Sequence, residues 1–166
     1  MKIKLTFLIA IIAIMATSLG CKKTNCCTLS QETNTIVALK NNAEWRTTGY
    51  LYKYYSHKDT VALAGSMGEE NLSVVVKKSG SAYILIDATF YIVEGGDMVM
   101  ADYVLDTSKN NTFATTAVTD DLMEGKFELY FKINHSDPPG KYPSTAVFKN
   151  GLFRVRWDNV SHVVLP

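Results

Sequence analysis

The stretch Gly125-Lys126-Phe127-Glu128-Leu129-Tyr130-Phe131-Lys132-Ile133 alternates between apolar and polar side chains. Phe127, Leu129, Phe131 and Ile133 point one way; Lys126, Glu128, Tyr130 and Lys132 point the other. Successive side chains of an extended chain leave on opposite faces, so this is a strand with one dry face and one wet face. From Thr35 onward no window sustains a 3.6-residue apolar period, and period two recurs instead. Such a chain is built of sheets that bury one side.

Two hairpins are expected. In "TIVALKNNAEW" the turn falls at Asn41-Asn42 and sets Ala38 opposite Trp45. In "TAVFKNGLFRVRW" Asn150-Gly151 supplies the positive φ values of a type I′ turn. A two-residue loop there pairs Phe148 with Phe153 and Ala146 with Val155. Phe148, Phe153, Ala146, Val155 and Trp157 then share a face, with Arg154 and Arg156 on the other. Further strands are expected at Gly49–Tyr55, Val61–Ser66, Leu72–Lys77, Tyr83–Val93, Met98–Leu105 and Thr112–Val118. In the long one, Ile84, Ile86, Ala88, Phe90 and Ile92 alternate with Tyr83, Asp87, Thr89 and Tyr91. Gly68-Glu69-Glu70, Ser79-Gly80, Gly95-Gly96-Asp97 and Ser108-Lys109-Asn110 mark the turns. The fold class is therefore all-β. About ten strands form an antiparallel meander, as a sandwich or a lipocalin-like barrel, and either architecture satisfies the pattern.

The N-terminus reads differently. Lys2 and Lys4 precede an apolar run from Leu5 to Met15, interrupted only by Thr6. A spanning helix needs roughly 20 apolar residues. A signal-peptide core needs only about 7–15, followed by small residues at the cut. The run fits the second description and ends at Ala16-Thr17-Ser18-Leu19-Gly20-Cys21. That end resembles a bacterial lipobox of the looser kind found in Bacteroidetes lipoproteins, with Ser18 where Leu is usual. The resemblance implies that the Cys21 thiol takes a diacylglycerol before cleavage and that the chain is tethered to the outer membrane. Each buried methylene contributes about 0.8 kcal/mol, so one acyl chain holds marginally and two or three hold firmly. Basic Lys22 and Lys23 replace the acidic residues that follow the cysteine in surface-displayed members. By that resemblance the protein faces the periplasm.

Three segments follow: a signal peptide at 1–20, a lipidated flexible tether at 21–34, and a single all-β domain at 35–166. Cleavage takes 20 of 166 residues and two of 17 basic side chains, leaving 15 bases against 16 acids. No basic excess is available to neutralise phosphates, so nucleic-acid binding has no electrostatic support. Cys26 and Cys27 are neighbours, a poor geometry for pairing with each other. They read as tether residues, or as an intermolecular bridge, a metal contact or further acylation sites.

A second resemblance covers the order of features over most of 35–157. "IVALKNNAEW", "VTDDLMEGKFELYF" and "STAVFKNGLFRVRW" resemble a group of small Bacteroidetes outer-membrane lipoproteins that share a domain of unknown function. Those proteins open with a strand, an Asn-containing turn and a Trp, here Trp45. They close with two Gly-x-Phe strands, here Gly125-Lys126-Phe127 and Gly151-Leu152-Phe153. The resemblance implies a β-rich domain on a lipid anchor and brings no catalytic residue.

Chemistry is sparse. His57, His135 and His162 lie in no arrangement that aims two rings at one ion. Gly65-Ser66-Met67-Gly68 misses the spacing of a nucleophile elbow, and no motif calls for a cofactor. Asp120-Asp121 with Glu124, and Glu69-Glu70, read as turn and edge acids or as calcium ligands without EF-hand spacing. Asn134, His135 and Asp137 share one loop, a weak catalytic constellation. The candidate ligand contacts are Tyr50, Tyr52 and Tyr54 in "GYLYKYYSH". They share one face of a strand, about 6.8 Å apart. Such a row either packs against cross-strand partners or lines a groove. The expected function is a non-catalytic envelope binding or structural module, with the membrane as one partner and a glycan, lipid or envelope protein as another. The alternative is a carrier of a small apolar or glycan ligand.

Overall fold

The alternating segments pair into a ring. The computed structural model describes residues 33–54, 57–157 and 160–163, the last four as backbone. The signal peptide, Cys21, Cys26 and Cys27 lie outside the described residues. Ten strands follow in order: β1 (Thr35–Lys40), β2 (Ala43–Tyr54), β3 (His57–Met67), β4 (Glu70–Ser79), β5 (Ala82–Glu94), β6 (Met98–Leu105), β7 (Thr112–Val118), β8 (Leu122–Ser136), β9 (Thr145–Arg156) and β10 (Val160–Val163). Their order in the sheet is β1-β9-β8-β6-β5-β4-β3-β2, and β1 also pairs with β2, so eight strands close on themselves. The expected antiparallel meander is thus an up-and-down barrel.

The two remaining strands prolong lanes of that ring. β7 pairs with Met123–Glu128 of β8, where β6 has let go at Phe131. Between them residues 106–111 leave the wall. Asn111 repairs the ladder there, its Oδ1 accepting from the Tyr130 amide at 2.8 Å. β10 pairs parallel with Leu51–Tyr54 of β2, beyond the end of β1. It is a departure from the all-antiparallel expectation.

The first hairpin forms as read. Asn41 and Asn42 take φ of 49° and 70°, and Ala38 faces Trp45. The second does not form: β9 runs straight through Asn150-Gly151. Phe127 faces Gly151 while Leu129 faces Phe148, so two residues of β9 oppose one of β8. Asn150, at φ 51°, sits in this β-bulge. A bulge and a two-residue turn accept the same left-handed residue, which is why Asn-Gly suits both. Both also reverse the alternation once. Ala146, Phe148, Phe153 and Val155 therefore all point inward, as the turn had required. Asn150→Val is expected to lower stability by about 1–2 kcal/mol, because a β-branched residue is strained at positive φ. Asn150→Gly should leave it unchanged to within about 0.5 kcal/mol, as urea unfolding will register.

β5 holds a second correction. Ile84 and Ile86 were expected on the dry face with Ala88 and Phe90, yet they are 49% and 53% exposed. A bulge between the pairs Val76↔Leu85 and Val75↔Asp87 switches the parity. Upstream of it Tyr83 turns inward; downstream Ala88 and Phe90 do. β2 is also longer than expected, since Gly49 lies within it instead of opening a new strand.

The interior is filled with rings. Phe148 meets Trp45 edge-on at 5.4 Å, Phe90 at 5.3 Å and Phe131 at 5.8 Å between centroids. Phe90 also meets Tyr103 at 5.3 Å. Burying each such side chain contributes roughly 1.5–3 kcal/mol. Near the β7 end the two Gly-x-Phe segments interlock. Phe127 faces Gly151 and Phe153 faces Gly125, so each ring covers the other strand's glycine. Phe113 of β7 stacks on Phe153 at 5.1 Å.

Candidate groove on the outer face

Inward residues hold the barrel together, so ligand contacts on the wall come from the outward rows. Tyr50, Tyr52 and Tyr54 project outward from β2, since Leu51 between them is fully buried. Across the ladder, Tyr50 faces Ala64 and Tyr52 faces Ala62 on β3. Ala64 in turn faces Ser73 on β4, and Ser73 faces Thr89 on β5. Large side chains on β2 and small ones on β3 and β4 leave a furrow. Its volume is about 270 Å³, and Tyr91 of β5 stands at the far wall. Ala62 faces outward yet is 3% exposed, so the larger side chains close over it.

The polar inventory is made of hydroxyls and an amide. Ser66 Oγ donates to Asn71 Oδ1 at 2.6 Å, and Asn71 Nδ2 donates to the Glu69 carbonyl at 3.0 Å. Burial pushes the Tyr54 phenol above its ordinary pKa, and the Asp87 carboxylate adds to the shift. Tyr54 thus keeps its proton, as donor or acceptor, through the neutral range. Among the described residues no Asp, Glu, Lys or Arg lines the furrow. Aromatic faces flanking uncharged hydrogen-bonding groups can stack on, and bond to, a hydroxylated ring.

The tyrosines read from the sequence thus converge on one groove. Tyr91, Ser73, Ala62 and Ala64 were not singled out. Their signal was period two in small residues (Ala62, Ala64), but only the register shows that these lie beside the tyrosines. Other candidates are placed elsewhere. Glu124 pairs with Arg154 at 2.9 Å, and Glu70 pairs with Lys40. Asn134 donates to Asp102 Oδ2 at 2.9 Å, and His135 is the cross-strand partner of Asp102. Among the described residues no three of His, Cys, Asp or Glu converge as a metal site.

One barrel mouth holds a further cavity of about 460 Å³, over Phe90, Tyr103 and Ala146. Lys40 lies across it, 5.2 Å from the Phe90 ring centroid and paired with Glu70. At the same end Lys141 and Tyr142 donate to Glu94 at 2.6 and 2.5 Å and hold its carboxyl below the usual range. Lys40 and Glu94 there are paired within the protein, whereas the groove's hydroxyl-bearing tyrosines face outward. Comparison with protein families, with curated proteins and with solved structures finds nothing that matches the chain, so the groove is interpreted from its own geometry.

Proposed function

We propose that this chain is a lipid-anchored lipoprotein of the cell envelope whose barrel is a non-catalytic binding module, with the outer tyrosine groove as its surface for a glycan. In this reading acyl chains on Cys21 hold the barrel at the outer membrane, facing the periplasm, as in the Bacteroidetes lipoproteins that the leader resembles. The observation that carries it is the convergence of Tyr50, Tyr52 and Tyr54 with Tyr91 over a floor of Ala62, Ala64 and Ser73. A carrier holding its ligand inside the barrel has less support, because the rings of Trp45, Phe90, Phe131 and Phe148 meet across the interior.

The double variant Tyr52→Ala/Tyr54→Ala tests the groove. Glycan affinity should fall about 30-fold or more, the loss expected when aromatic anchors worth roughly 2 kcal/mol or more are truncated. The melting temperature should stay nearly constant. A large drop in melting temperature with unchanged binding would assign the tyrosines to packing. Mass spectrometry of the protein from its native host should find Cys21 acylated.

A further inference from the structure

The outward row beside the tyrosines does not stop at Tyr91. Ser66 of β3 faces Asn71 of β4, which faces Tyr91 of β5, which faces Asp102 of β6, which faces His135 of β8. Directly opposed residues share a face, so these five form one line across the wall. Four strand spacings of about 4.8 Å make the line roughly 19 Å long. The parallel row Tyr50, Ala64, Ser73, Thr89 and Val104 runs beside it. At the far end β8 bulges: Asp102 faces His135 while Tyr103 faces Ile133, which leaves Asn134 as the extra residue. The bulge brings the Asn134 amide onto Asp102, where Nδ2 donates to Oδ2 at 2.9 Å. Bulges commonly re-aim a side chain at a site in this way.

We infer that the tyrosine groove is one end of a longer cleft, reaching to Asp102, Asn134 and His135, that takes a linear chain of uncharged sugars. This rests on the reading of the groove as a glycan surface and adds to it the ligand's length and charge. Length follows from the line of residues. Charge follows from what borders it. Among the described residues the furrow itself carries no charged side chain. Asp87 lies close enough to Tyr54 to raise its pKa further, after burial, and Asp102 stands at the other end. An acidic glycan would meet both carboxylates. The neighbouring cation Lys132 faces Val104 in the adjacent row. Its charge helps, after the Ser108 hydrogen bonds, to hold the Asp106 carboxyl low. A neutral chain stacks on Tyr52 and Tyr91 and shares hydroxyl bonds with Ser73, Asn71 and the Asp102–Asn134 pair.

The test is calorimetric titration of the detergent-solubilised full chain with neutral disaccharides and hexasaccharides, cellulose- and starch-derived, and with an acidic oligogalacturonate. The neutral hexasaccharide of one series should bind about tenfold or more tighter than its disaccharide, the gain of roughly one added hydrogen-bonded contact to a charged group. Asp102→Ala/Asn134→Ala, at the end of the cleft away from the tyrosines, should erase that length advantage while leaving disaccharide binding and melting temperature unchanged. Equal affinity for both lengths, or preference for the acidic oligomer, overturns the extended neutral cleft but leaves the tyrosine groove standing. Absence of binding to every saccharide by the wild-type chain overturns both.

Discussion

Gly125→Ala is expected to lower the stability of the barrel by about 3 kcal/mol or more, at the upper end of what overpacking costs. The alanine Cβ would sit 2.5 Å from Phe153 Cζ and even closer to the Ala114 carbonyl oxygen. Gly125 and Phe153 are buried, and the Ala114 oxygen belongs to the backbone of β7, which is paired to β8 at this point. Gly151→Ala meets a different obstacle, the three atoms nearest its Cβ all belonging to the Phe127 ring, at 2.5–2.6 Å. The two variants should therefore respond differently to a second change. Phe127→Leu should recover part of the loss in Gly151→Ala, with a coupling of about 0.5–3 kcal/mol between these touching residues. Phe153→Leu should recover less in Gly125→Ala, because the Ala114 carbonyl is backbone and cannot turn aside. Urea unfolding of the four single and two double variants reads both couplings. Equal rescue of the two glycines would show that the wall at Ala114 yields.

Phe148→Ala should cost about 3–5 kcal/mol, the range for truncating a buried aromatic. Its ring is fully buried and meets Trp45, Phe90 and Phe131, so three partners lose a face at once. The melting temperature should fall by roughly 10 °C or more. Ile86→Ala, at a side chain 53% exposed, should stay within about 0.5 kcal/mol of wild type. Had Ile86 lain on the dry face, as plain alternation from Phe90 requires, it would behave as Phe148 does. The pair of variants thus reads the β5 bulge directly.

The candidate site was half legible. Tyr50, Tyr52 and Tyr54 follow from alternation within one strand, and they do share a groove. What stands opposite them was not readable, because period two tells which face a residue takes and not which strand lies beside it. Tyr91 enters through the β4–β5 register. Asp102 and Asn134 meet through a bulge on β8, thirty-two residues apart in the chain.

The same division runs through the fold. Alternation alone determined that the chain is strands with one dry face, and in β8 it named the inward residues Phe127, Leu129 and Phe131 correctly. The left-handed asparagines at 41 and 42 determined the first turn, because a two-residue link between paired strands demands positive φ there. At Asn150 the same local preference led to a turn that is not made. A turn and a bulge both seat a left-handed residue and both reverse the alternation once, so the inward list is the same for either. Only neighbours distinguish them: β8 flanks β9 along its length and β1 flanks it from Phe148 to Arg154, on both sides of the bulge, and a strand held between two ladders continues where a free one would fold back. Closure through β9 and β1 is likewise a property of the ring. Side-chain parity carries no record of which edges meet, and that choice was left to the packing of the rings inside.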